Sequence, residues 1–98
     1  MSTELTFTTG HDPSGCRVLG AAGEIDMSNA AAFAAALDDA CRDGDRLVLD
    51  LTGVEYLDSA GLAVLFPHVD HVRLVAGPLL GPLLTIAGLA DVTTIRDE

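Results

Sequence analysis

The stretch Leu47-Val48-Leu49-Asp50-Leu51-Thr52-Gly53-Val54-Glu55-Tyr56-Leu57-Asp58-Ser59-Ala60-Gly61-Leu62-Ala63-Val64-Leu65 carries most of what the chain says about its fold. From Arg46 to Leu51 it is short, branched and nearly continuous in apolar character, the pattern of a central strand covered on at least one face. Thr52 to Leu57 read as a loop leading out of that strand. Asp58 and Ser59 precede Ala60 to Phe66, an apolar segment short for a helix, and Pro67 lacks the backbone donor that a continuing helix would use. The spacing predicts a stubby or kinked helix with a capping residue at its start.

Upstream, Leu5 to Thr9 alternates apolar and polar residues, and Gly10 to Gly15 is a turn cluster before Cys16-Arg17-Val18-Leu19-Gly20, so an antiparallel hairpin is predicted. After Gly23-Glu24-Ile25-Asp26, either Ser28 or Asn29 can cap a helix. Its Ala30, Phe33, Leu37, Ala40 and Cys41 recur at helical spacing until Gly44 stops it, with Asp38, Arg42 and Asp43 on the opposite face. Downstream, His71 to Val75 reads as a strand, Pro78 to Ala87 as a short helix capped by Gly88, and Asp91 to Ile95 as a closing strand. The order is ββαβαβαβ in an α/β fold. Right-handed helical crossovers force parallel neighbours, so a mixed sheet with helices packed against it and an antiparallel first hairpin is expected, over a single domain spanning residues 1–98.

Ninety-eight residues are too few for an α/β hydrolase, a TIM barrel or a full dinucleotide-binding fold. Fifteen Asp and Glu stand against five Arg and no Lys, a net charge of −10. Such a surface repels phosphate backbones and anionic lipid, which argues against direct nucleic-acid contact, and it attracts basic protein surfaces. The N-terminus has no basic leader, and the apolar region Leu74 to Ala90 is broken by Pro78 and Pro82, so a cytoplasmic protein without membrane insertion is expected. Cys16 and Cys41 read as small buried apolar residues.

Ser59 is the candidate functional residue. A helix N-terminus presents unpaired N–H groups and a partial positive charge, so a phosphate on a hydroxyl there is stabilised locally. Gly61 is expected to leave room beside the serine for another protein's backbone. The competing reading is that Asp58 or Ser59 only caps the helix.

Val48-Leu49-Asp50-Leu51, followed by a loop and Asp58-Ser59-Ala60-Gly61-Leu62, resembles the signature of the STAS domain, and specifically of bacterial anti-sigma-factor antagonists. Gly23-Glu24-Ile25-Asp26 is similar to the motif closing that family's second strand, and Pro78 followed by Gly88-Leu89 to its last helix and cap. The resemblance implies a switch protein. Unphosphorylated, it binds an anti-sigma factor with serine kinase activity and releases the sigma factor. Phosphorylation of Ser59 switches it off, and a Ser/Thr phosphatase resets it. Asp26, Asp58, Ser59, Ala60, Gly61 and Leu62 are the implied partner-binding residues, Asp26 matching the loop aspartate beside the phosphorylation site, and no cofactor is implied. The segment from Phe66 to Arg73 is shorter than in many antagonists, and the chain ends soon after the last strand where many relatives add a helix. Some STAS proteins with similar segments are never phosphorylated and serve as structural subunits of larger assemblies such as lipid-transport ATPases.

Enzymatic readings fail on particular residues. Asp50 as an aspartyl-phosphate nucleophile lacks a second aspartate two positions on, where Thr52 stands. Leu57-Asp58-Ser59-Ala60-Gly61 is half a nucleophile elbow, because Leu57 occupies the first glycine's place. His68 and His71 around Asp70 are expected to be solvent-exposed rather than metal ligands, since Pro67 disfavours a regular helix there. Asp38, Asp39, Asp43 and Asp45 form a solvated acidic face that could also attract a basic partner.

Overall fold

The computed structural model describes residues 4–42, 46–89 and 91–94. The elements are β1 (Thr6–His11), β2 (Arg17–Ile25), α1 (Ala30–Ala40), β3 (Leu47–Leu57), α2 (Ser59–Leu65), a 3-10 turn (Phe66–His68), β4 (Val72–Ala76), α3 (Leu80–Ile86) and β5 (Val92–Thr94). Their order is the predicted ββαβαβαβ. The five strands form one sheet in the order β1-β2-β3-β4-β5. The β1–β2 pair is antiparallel, and β2–β3, β3–β4 and β4–β5 are parallel. In the hairpin turn, the Asp12 carboxylate accepts from the N–H of Ser14 at 3.0 Å and of Cys16 at 2.9 Å.

Three successive right-handed crossovers moving the same way along a sheet place all their helices on one face. The burial pattern agrees. Leu19, Ala21 and Ile25 of β2, Leu49 and Leu51 of β3, and Leu74 of β4 are buried with Phe33 and Leu37 of α1 and Leu84 of α3. The alternate residues Val18, Gly20, Val48, Asp50 and Val75 are only half-buried. The domain is therefore two-layered, with helices on one side of the sheet.

The expected loop over Thr52 to Leu57 is instead the second half of β3, which runs unbroken to Leu57. Register shifts in the β2–β3 pairing, between Gly20 and Ala22 and between Gly23 and Glu24, explain why alternation failed to show it. Across them the buried residues of β3 fall at Leu51, Val54 and Leu57, a spacing of three rather than two. Gly53 sits at this irregularity, where a Cβ would lie 2.9 Å from the Cβ of Ala22.

α1 buries Phe33 and Leu37 as its spacing predicts. α2 is stubby, and Pro67 falls in the 3-10 turn that follows it. α3 ends at Gly88, whose φ of +98° and whose N–H to Thr85 oxygen bond of 3.1 Å make the expected glycine cap. The stop at Gly44, the acidic residues Asp43 and Asp45, and Ile95 lie outside the described residues. Cys16 and Cys41 are half-buried rather than buried, flank β2 and α1, and are free thiols. His68 is not solvent-exposed: its side chain is 16% exposed, and its Nε2 lies 3.0 Å from Asp38 Oδ1, tying the 3-10 turn to α1.

Candidate functional site

Parallel strands deliver their C-terminal ends, and the helix starts that follow, to one end of the sheet. Here β2 ends at Ile25 and β3 at Leu57, paired in register, so the loop Asp26–Asn29 and the start of α2 at Asp58 and Ser59 lie side by side. Asp58 joins them. Its N–H donates to the Ile25 oxygen at 3.1 Å, extending the strand pairing by one bond. Its Oδ1 accepts from the N–H of Gly61 at 3.0 Å, capping α2, and its Oδ2 accepts from the N–H of Met27 at 3.1 Å. One carboxylate thus clasps the start of α2 to the β2–α1 loop.

Because Asp58 is the cap, Ser59 is not. Ser59 is the first residue of α2, it is exposed, and its hydroxyl makes no hydrogen bond among the described residues. Ala60 and Leu62 are half-buried, Leu62 packing against the core. The expectation for Gly61 needs correcting. It is buried, and a Cβ there would lie 2.6 Å from Leu57 Cδ1 and 2.7 Å from Ile25 Cγ2, so the missing side chain lets α2 approach the strand ends of its own fold. No partner backbone can use that space.

Asp26 turns its carboxylate into its own loop, accepting from the N–H of Ser28 at 2.9 Å and from the Ser28 hydroxyl. The hydroxyl bond, then the backbone bond, hold the Asp26 carboxyl below the usual carboxylate range. Asn29 occupies the N-cap of α1 without capping it through its side chain. It instead accepts from the N–H of Asp26 at 2.9 Å and donates to the Glu24 oxygen at 2.8 Å, bracing the loop against β2.

Met27, which sequence reading passed over, is 82% exposed with its backbone pinned by Asp58. Tyr56, three residues before Ser59, is 51% exposed. An apolar residue between Asp26 and Ser28 was the available signal. Among the described residues, the charge around this end has one sign. Glu24, Asp26, Glu55 and Asp58 gather at the C-terminal strand ends, while Arg17, Arg46 and Arg73 sit at or before the starts of β2, β3 and β4 and Arg42 follows α1. Among the described residues, every arginine therefore lies away from Ser59.

The family model described as "Mlab, STAS domain" matches residues 11–94. The chain belongs to the STAS domain family. Among solved structures, this STAS domain is similar to an anti-sigma factor antagonist from Mycobacterium paratuberculosis, with 32% identity and a TM-score of 0.76 over 88% of this chain and 80% of that one. It shares the fold of the anti-sigma factor antagonist SpoIIAA in its unphosphorylated form, at 15% identity and a TM-score of 0.70 over 92% of this chain and 88% of that one. An antisigma-factor antagonist STAS domain from Rhodobacter sphaeroides has the same fold at 20% identity and a TM-score of 0.56, covering 74% of this chain and 84% of the other. No curated protein matches the sequence. Among the described residues, no helix is long and apolar enough to cross a membrane.

Proposed function

We propose that this STAS domain is an anti-sigma-factor antagonist that, unphosphorylated, binds an anti-sigma factor with serine kinase activity and is switched off by phosphorylation of Ser59, with a Ser/Thr phosphatase reversing the mark. The placement of Ser59 carries the reading. An exposed hydroxyl with no hydrogen bond among the described residues stands on a backbone that Asp58 holds. A kinase can reach it without unfolding anything. Phosphorylation adds about −1.5 to −2 charges beside a rim that, among the described residues, already holds Glu24, Asp26, Glu55 and Asp58 and no arginine. The partner supplies the cations, and the phosphate acts at the interface through bulk and repulsion while the fold stays as it is. Similarity to the Mycobacterium paratuberculosis antagonist supports the same reading.

A second reading draws on the description of the matching family model: a STAS subunit of a larger assembly, such as a lipid-transport ATPase, that is never phosphorylated. Pull-down with wild type, Ser59→Ala and Ser59→Asp separates the two. An antagonist retains an ADP-loaded anti-sigma kinase as wild type and as Ser59→Ala but loses it as Ser59→Asp, and labelled ATP maps to Ser59. A structural subunit holds its assembly equally in all three forms, and label on Thr52 or on no residue removes Ser59 from the mechanism.

A further inference from the structure

In the Asp26–Asn29 loop, three of the four side chains serve the loop itself. Asp26 and Ser28 bond to each other, and Asn29 braces the loop against β2. The backbone is held as well, since the Asp26 oxygen accepts from the N–H of Asn29 at 3.1 Å and of Ala30 at 2.8 Å. Met27 takes part through its N–H, and at 82% exposure its side chain stands outside the core. One exposed apolar residue is ordinary on a protein surface. Two features set Met27 apart. The Asp58 carboxylate that accepts from its N–H also caps α2, so Met27 and Ser59 are presented together on one braced unit. Among the described residues, Met27 also shares its end of the sheet with Glu24, Asp26, Glu55 and Asp58 and with no arginine.

That combination selects the occupant. Carboxylates beside an apolar side chain repel anionic lipid, and they repel a second copy of this chain, whose same end is equally acidic. A single methionine side chain buries too little area to hold a neutral lipid surface. The arrangement instead fits a protein that sets cations around an apolar pocket, a buried anchor inside a polar rim. Methionine suits such a pocket, because its unbranched, polarisable chain adapts its shape by bond rotation. With the backbone already held, side-chain rotation is the main freedom lost on binding. We propose that Met27 is the apolar anchor of the interface with the anti-sigma kinase, seated in an apolar kinase pocket rimmed by Arg or Lys while Ser59 is presented beside it. The proposal rests on Ser59 being the phosphoacceptor, and adds a residue that sets affinity without receiving phosphate. The anchor governs how long the complex lasts, and the acidic rim governs how fast it forms.

The probe is the anti-sigma kinase that the wild-type chain retains in the pull-down, loaded with ADP for binding and with ATP for turnover. Surface plasmon resonance at about 0.05 M and about 0.5 M NaCl, salts on either side of physiological screening, compares wild type with Met27→Ser, Met27→Leu and Ile86→Ser. Met27→Ser is expected to raise koff by about tenfold or more at both salts, with kon changed by less than about threefold. Met27→Leu keeps the apolar volume and recovers most of the loss. Ile86→Ser, which removes an equally exposed aliphatic side chain from the last residue of α3, changes neither rate. Higher salt slows kon in all four proteins, because the acidic rim steers association. Met27→Ser also raises the KM for Ser59 phosphorylation while kcat stays within about twofold, the mark of binding shared by ground and transition states. Its urea midpoint and circular dichroism spectrum stay those of wild type. Wild type bound and labelled on Ser59, with koff unchanged in Met27→Ser, overturns the anchor and leaves the phosphorylation reading standing. Met27→Leu as weak as Met27→Ser overturns it too, as does a kon that salt leaves unchanged, since the pocket is then not apolar or not rimmed by cations. A wild-type chain that no anti-sigma kinase retains or labels overturns the Ser59 reading and the anchor with it.

Discussion

Replacing Asp58 separates its structural duty from that of Ser59. In Asp58→Ala, the N–H groups of Gly61 and Met27 both lose their acceptor. Loss of an N-cap costs ~1 kcal/mol. The second bond is worth roughly 0.5–1 kcal/mol, because water reaches the exposed Met27 and replaces part of it. The sum is about 1.5–2 kcal/mol, which lowers Tm by roughly 6–16 °C in a domain of this size. Asp58→Asn keeps one acceptor oxygen and turns an NH2 group toward the other donor. Asparagine caps as well as aspartate, so the expected loss is about half as large. Urea unfolding followed by circular dichroism gives both values, and amide spectra report whether Gly61 and Met27 are the residues whose bonds are lost. A cost for Asp58→Ala within about 0.5 kcal/mol of zero would refute the two-loop clasp. So would an alanine variant no less stable than the asparagine one.

Ser59→Ala is expected to change stability by less than about 0.5 kcal/mol, since the exposed hydroxyl makes no hydrogen bond among the described residues; equilibrium unfolding checks this. Gly61→Ala should cost about 1–2 kcal/mol, because the added methyl meets Leu57 and the fully buried Ile25 while alanine's better helix propensity returns part of the loss. The depressed Asp26 carboxyl contributes stability that is present above its unfolded pKa of about 3.9 and is lost as pH falls through its lower folded value. Ser28→Ala removes the largest cause, so carboxyl NMR titration of that variant should show Asp26 moving back toward the ordinary range, whereas an unmoved titration would contradict the assigned bond.

What the sequence made legible follows from which forces act locally. The α1 stripe of Phe33 and Leu37 and the Gly88 cap are set by periodicity and by a backbone conformation particular to glycine, and both were readable, whereas the end of β2 at Ile25 was indicated only by the resemblance of Gly23–Asp26 to the family's motif. The second half of β3 was hidden because register shifts against β2 change its burial spacing from two to three, a consequence of pairing with residues far away in the chain. Asp58 and Ser59 are both good capping residues, and only the backbone path into α2 decides between them. Gly61 announced a close approach, but whether a partner or the fold itself makes that approach depends on Ile25 and Leu57, which tertiary packing places. Met27 drew no reading from the sequence, because its place beside Ser59 depends on the bond from its N–H to Asp58, a residue far away in the chain.

Calorimetric titration of the unmodified and Ser59-phosphorylated forms into an ADP-loaded anti-sigma kinase, with amide spectra of each form alone, tests the switch most directly. The phosphorylated form is predicted to bind at least about tenfold more weakly, a difference of ~1.4 kcal/mol, with shift changes confined to the start of α2 and the Asp26–Asn29 loop. Equal affinities, or shift changes spread across the sheet, would contradict a local switch at Ser59.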